Sequence, residues 1–123
     1  MSARFGFPRQ ARLTRQAEFQ RIYRLGRRLK APPLRLVALR RPDGKSRLGL
    51  AVSRKVGGAV VRNRYKRAIR EAFRLHRHRL TRPYDMAVSV GWEAAPEEVK
   101  RVEAAFLELV EMLNAADGEA PAQ

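Results

Sequence analysis

The sequence predicts an α/β (α+β) two-layer sandwich, a small mixed sheet packed with about three helices, within a single domain. Three observations carry this. The chain has 123 residues, the size of one compact unit. Hydrophobic residues make up 45% of it, which supplies a core at a length where roughly two-thirds of the unfolded surface can be buried. Helix-period and strand-period apolar patterns then alternate along the chain, which is the mark of mixed architecture. No apolar run reaches the roughly 18 residues of a membrane span.

Residues 1–11 carry scattered Arg, Gly6 and Pro8 without a period and read as a loose arm. Thr14 can cap a helix that ends at Gly26. In that helix Ala17, Ile22 and Leu25 are apolar, and Phe19 and Tyr23 fall four apart on one face. After Pro32-Pro33, LRLVALRR (34–41) reads as a strand, and a further short strand fits between 27 and 36. Pro42-Asp43-Gly44 signals a turn, which makes RLGLAVS (47–53) the expected hairpin partner of 34–41. The basic turn RKVGG (54–58) leads into a helical stretch over about 59–80, closed near Pro83. YDMAVSVG (84–91) alternates as a strand, with Tyr84, Met86, Val88 and Val90 on one face. Pro96 suits the first turn of a last helix, where Val99, Val102, Phe106, Leu109, Val110 and Leu113 keep helical spacing. The core therefore covers about 12–114, and the small, acidic tail 115–123 is expected to be loose.

Charge narrows the function. The net charge is +15, and it is segregated. Residues 1–82 hold 25 Lys or Arg against Glu18, Asp43 and Glu71, whereas 83–123 hold only Lys100 and Arg101 against nine acids. A basic body with an acidic end points to a polyanion partner. Of the 27 bases 22 are Arg, whose planar fork can hold two phosphate oxygens or stack on a base; an Arg-rich genome offers the bland alternative for that ratio. Cysteine is absent, which excludes disulfides, thiol nucleophiles and cysteine-ligated zinc and fits the cytoplasm. No apolar stretch follows the first basic residues, so no secretory signal is expected.

The long helix concentrates that charge. At about 100° per residue, Val61, Tyr65, Ala68, Ile69, Ala72, Phe73 and His76 share one sector. Asn63, Lys66, Arg67, Arg70, Arg74 and Arg77 lie opposite, with Arg64 and Glu71 towards the flank. An ordinary solvated face mixes charge signs. This one does not, and its like-charged neighbours repel until a polyanion arrives. Gly57 and Gly58 ahead of the helix are open to two readings, a phosphate-approach turn or an ordinary strand-to-helix turn; no Walker pattern is present. Phe19 and Tyr23 are either core residues or stacking platforms for single-stranded nucleic acid. His76 and His78 diverge on a helix, the carboxylates Asp43, Asp85 and Asp117 are scattered, and no nucleophile triad has its local context. Neither a protein-bound metal nor a self-contained active site is expected.

The run R54-K-V-G-G-A-V-V-R-N-R-Y-K-R-x-x-R70 resembles the signature of the bacterial ribonuclease P protein component. RLTRQAEFQRIYRLGRR (12–28), RLGLAVSRK (47–55) and YDMAVSVG resemble that family's first helix and flanking strands. The resemblance implies an αβββαβα-type order with a left-handed βαβ crossover. It implies a subunit that helps a catalytic RNA remove the 5′ leader of precursor tRNA, with Mg²⁺ required by the RNA–protein holoenzyme and no cofactor held by the protein. By position it implies RNA binding by Arg54, Lys55, Arg62, Asn63, Arg64, Lys66, Arg67, Arg70 and Arg74, and leader stacking by Phe19 and Tyr23. Gly58, where the family often has Asn, and Val37, near a position aromatic in some members, depart from the pattern. The readings set against this are a structural RNA binder of ribosomal type, an autonomous nuclease and a duplex-DNA binder.

Overall fold

In a computed structural model of the chain, the described residues are 12, 13, 15–91 and 94–119. The arm 1–11 and the Thr14 cap lie outside them. Helix α1 spans Gln16–Leu25, with Arg15 as its N-cap and no side-chain cap bond there. The amide of Gly26 closes it on the Ile22 carbonyl at 2.7 Å. Strand β1, Arg27–Ala31, is the short extra strand allowed by the sequence, and it forms a hairpin with β2, Leu34–Arg40, across Pro32-Pro33. Strand β3 covers Arg47–Val52 and helix α2 Ala59–His76, with a 3-10 turn Arg77–Arg79 completing the expected helical stretch. Strand β4 is Tyr84–Val90.

The last helix begins differently from expectation. Pro96–Arg101 is a 3-10 turn, and only Val102–Glu119 is α-helical (α3). It also runs past Ala115, where a loose tail was expected. The reason is a polar clamp. The Tyr84 hydroxyl donates to Asp117 at 2.6 Å, the Thr81 amide donates to Asn114 Oδ1 at 2.9 Å, and Asn114 Nδ2 donates to the Arg79 carbonyl at 2.8 Å.

The strand order is β1-β2-β4-β3. The expected hairpin between β2 and β3 is therefore wrong: β4 lies between them, antiparallel to β2 and parallel to β3. The physical cause is visible in β4 itself. Tyr84, Met86 and Val88 are buried on one face and Asp85 and Ala87 on the other. A strand buried on both faces belongs in the middle of a sheet, and the helical crossover α2 is long enough to return it parallel to β3.

Alternate strand residues serve two layers. Leu36, Leu48, Met86 and Val88 pack against Tyr65, Ile69 and Phe73 of α2 and Phe106, Leu109 and Leu113 of α3. Phe73 and Phe106 meet edge to face, with ring centroids 6.3 Å apart and planes at 83°. The reverse face carries a smaller cluster of Leu13, Ile22, Val37 and Ala87, flanked by Phe19 and Leu39. Thus α2 and α3 cover one side fully, while α1 covers only part of the other and leaves an open stretch of sheet beside it. No described helix is long and apolar enough to cross a membrane.

Candidate nucleic-acid interface

The helical wheel drawn from the sequence is realised in α2. Tyr65, Ile69, Ala72 and Phe73 are buried, whereas Asn63, Arg64, Arg67 and Arg70 are exposed and Arg62, Lys66 and Arg74 half-buried. Among the described residues, Arg64, Lys66, Arg67 and Arg70 have no carboxylate within ion-pair distance. Arg74 differs. Its guanidinium is hydrogen-bonded to Glu71, which holds that carboxyl below its usual range. Arg77 lies over the Phe73 ring at 5.5 Å instead of joining the stripe. His76 faces Glu103 at 2.7 Å, on the side of α3.

The turn before α2 aims the stripe. Ser53 Oγ accepts the Lys55 amide at 3.1 Å, which shapes the short 3-10 turn Arg54–Val56 and leaves Arg54 and Lys55 exposed. Arg62 is not wholly free for a partner: its Nε donates to the Gly57 carbonyl at 3.3 Å. The Arg62 bond thus ties the glycine turn to the first turn of α2.

Phe19 and Tyr23 stack on each other, ring centroids 6.4 Å apart and planes 26° from parallel. They belong to neither extreme of the sequence reading. Phe19 is half-buried on the sheet, and Tyr23 is 39% exposed. Gly49 explains the seat of Phe19. A Cβ at that position would fall 2.3 Å from the ring's Cζ, so only glycine lets the ring lie on the strand.

Two clefts lie near this pair. One, of about 490 Å³, is lined by Lys66 and Arg70 of α2, by Gly49 and its neighbours on β3, and by Arg12 and Leu13. The other, of about 350 Å³, runs over the open sheet and is lined by Tyr23, Arg28, Lys30, Arg35, Val37 and Ser89. Gly49 lines the first cleft and supports Phe19; Tyr23 lines the second. Gly49 is thus the point at which the cleft of Lys66 and Arg70 approaches the aromatic pair, and Val37 contributes an aliphatic floor to the second cleft.

Sequence reasoning did not single out Arg12, Arg28, Lys30, Arg35 or Ser89. For the four on strands the signal was present in the period-2 alternation: Arg28 and Lys30 on β1 pair with Val37 and Arg35 on β2, and Arg35 with Ser89 on β4, so these four point to the α1 face. It also missed a charge network behind the platform. Arg47 donates from Nε and Nη2 to the two carboxylate oxygens of Asp85, at 2.7 and 2.8 Å, and from Nη1 to Glu18 at 2.8 Å. The hydrogen bonds to Asp85 raise the Arg47 pKa above its ordinary value, outweighing the opposing effect of burial.

Comparison with known proteins settles the family. The Ribonuclease P family model matches residues 7–114. The chain belongs to the ribonuclease P protein family. It is 44% identical over 112 residues to the "Ribonuclease P protein component" of Desulfovibrio desulfuricans, covering 87% of this chain and 85% of that one. The Dictyoglomus thermophilum component is 43% identical over 86 residues, 70% and 72% of the two chains. Among solved structures, the RNase P protein of Staphylococcus aureus superposes with a TM-score of 0.73 at 29% identity, covering 83% of this chain and 94% of that one. That of Thermotoga maritima gives 0.69 at 28% identity, with 85% and 96% covered. Membership makes the chain an RNA-binding component of the ribonucleoprotein that processes tRNA 5′ ends, and the four-stranded mixed sheet with three helices is the fold these structures share.

Proposed function

We propose that this chain seats the single-stranded 5′ leader of precursor tRNA on Phe19 and Tyr23 while its α2 stripe grips the catalytic RNA. The observation that carries the reading is the approach of Lys66 and Arg70 to a stacked, partly exposed aromatic pair across Gly49. Single-stranded RNA is bound by stacking and backbone contact rather than by a groove code, and each stacked base is worth about 1–3 kcal/mol without regard to sequence. On α2, Arg64, Lys66, Arg67 and Arg70 have no carboxylate within ion-pair distance among the described residues; Arg54, Lys55, Arg62 and Asn63 extend the grip, and Arg74 adds to it while shared with Glu71. Neutralised phosphates release their counterions, and two polyanions can then lie side by side.

In this reading hydrolysis belongs to the RNA. Among the described residues no group of three or more His, Cys, Asp or Glu side chains comes together as a metal site would need. We assign the Mg²⁺ ion to the RNA–protein holoenzyme, since such an ion is commonly held by phosphates and water with few protein ligands, and route no step through the protein. The place of action is the cytoplasm. The test is cleavage of a leader-bearing tRNA precursor by the cognate RNA with and without the protein at physiological Mg²⁺. Faster cleavage, and tighter binding of leader-bearing than of leaderless tRNA, are expected. No change on adding the protein overturns the proposal, and cleavage by the protein alone would place the active site elsewhere.

A further inference from the structure

Helix α1 carries the aromatic pair, yet its hold on the sheet is slight: Ile22 is its one buried residue. Against that small apolar contact stands one concentrated polar contact. Arg47 opens β3 opposite Asp85 in the register with β4, and Asp85 is 5% exposed. The guanidinium spends its Nε–Nη2 edge on Asp85 and reaches Glu18 of α1 with Nη1. Glu18 directly precedes Phe19. Two residues along β3 from Arg47, on the same face, Gly49 receives the Phe19 ring. One strand thus holds the helix by its carboxylate and its aromatic ring at neighbouring points. A guanidinium fork fixes geometry on two carboxylates in a way a point charge cannot.

We propose that Arg47 is a positioning residue for leader recognition: by clasping Asp85 and Glu18 together it sets where α1 presents Phe19 and Tyr23. The inference rests on the stacking role given above and adds the part that orients it. A purely electrostatic view makes the opposite forecast, because removing Glu18 deletes an acid from a polyanion-binding surface and should tighten RNA binding. The clasp forecasts weaker leader recognition despite the more favourable charge.

The experiment uses the holoenzyme assembled from the catalytic RNA and the full chain. The readout is the ratio of its affinities for leader-bearing and leaderless tRNA. Glu18→Ala, which leaves the Arg47–Asp85 pair intact, is expected to lower the ratio about fivefold, the equivalent of one weakly stacked base. Glu18→Gln, equally uncharged but still an acceptor for Nη1, is expected to restore most of it. Arg47→Lys, which keeps the charge beside Asp85 but loses the fork, is expected to behave like Glu18→Ala. Ring-proton shifts of Phe19 and Tyr23 should move in both defective variants. Phe19→Ala serves as the reference. If it lowers the ratio while Glu18→Ala and Arg47→Lys do not, the clasp has no positioning role, whatever happens to their melting temperatures. If Phe19→Ala itself leaves the ratio unchanged, the stacking reading fails first.

Discussion

Replacing Lys66, Arg67 and Arg70 together by alanine removes from α2 three cations that have no carboxylate within ion-pair distance among the described residues. Each phosphate contact contributes about 0.7 to 0.9 to the slope of log affinity against log salt, so the triple variant should flatten the slope by roughly 2 to 2.7. Between about 50 and 200 mM salt, the gap in affinity between parent and variant should therefore shrink roughly 20- to 40-fold. Stability should hold or rise slightly. Lys66–Arg70 and Arg67–Arg70 are like-charged pairs at helical neighbour spacing, each unfavourable by a few tenths of a kcal/mol, and alanine is the best helix former. Arg74→Ala is the internal control: its guanidinium is already shared with Glu71, so the slope should change by less than for any of the three. The assay is titration of labelled catalytic RNA at four or more salt concentrations, with thermal melts of the free protein alongside. An unchanged slope in the triple variant would refute phosphate contact by this face, and a large drop in melting temperature would show that these side chains hold the fold instead.

Two further outcomes follow from single contacts. Gly49→Ala puts a Cβ 2.3 Å from the Phe19 ring; overpacking of this kind costs about 1–3 kcal/mol, and it should show as a lower denaturation midpoint together with reduced leader discrimination. Burial, then the hydrogen bond to Asp117, push the Tyr84 pKa up to about 12, so the folded state favours the protonated phenol. The stability this contributes is whole below pH ~10, the pKa of an unperturbed tyrosine, and is lost as pH rises through about 12; Tyr84→Phe should remove that alkaline loss in pH-dependent melts while costing about 1–2 kcal/mol at neutral pH.

Much of this molecule is legible in one dimension. The binary pattern of α2, apolar at Tyr65, Ile69 and Phe73 and cationic opposite, needs only the helical period to be read, because an isolated helix already separates its faces. The spacing from Arg54 to Arg70 likewise carried the family resemblance that the matched relatives bear out. Neighbours in space but not in sequence were another matter. The turn at Pro42-Asp43-Gly44 suggested a local hairpin, whereas β4 inserts between β2 and β3. The helical C-terminus escaped notice because Asp117 and Asn114 are secured by Tyr84, Thr81 and Arg79, some thirty residues upstream.

What the sequence by itself determined was the set of local periods and the sign of the charge: which helix face is dry, which is cationic, and that a polyanion is the partner. Only the tertiary structure decided that Phe19 lies on Gly49, that Tyr23 joins Arg28, Lys30 and Arg35 along one cleft, and that Arg47 ties Glu18 to Asp85. The physical reason is that side-chain periodicity is a property of each segment's own backbone. Strand order and the seating of α1 depend instead on which buried faces are left to cover one another once every segment competes for the same core.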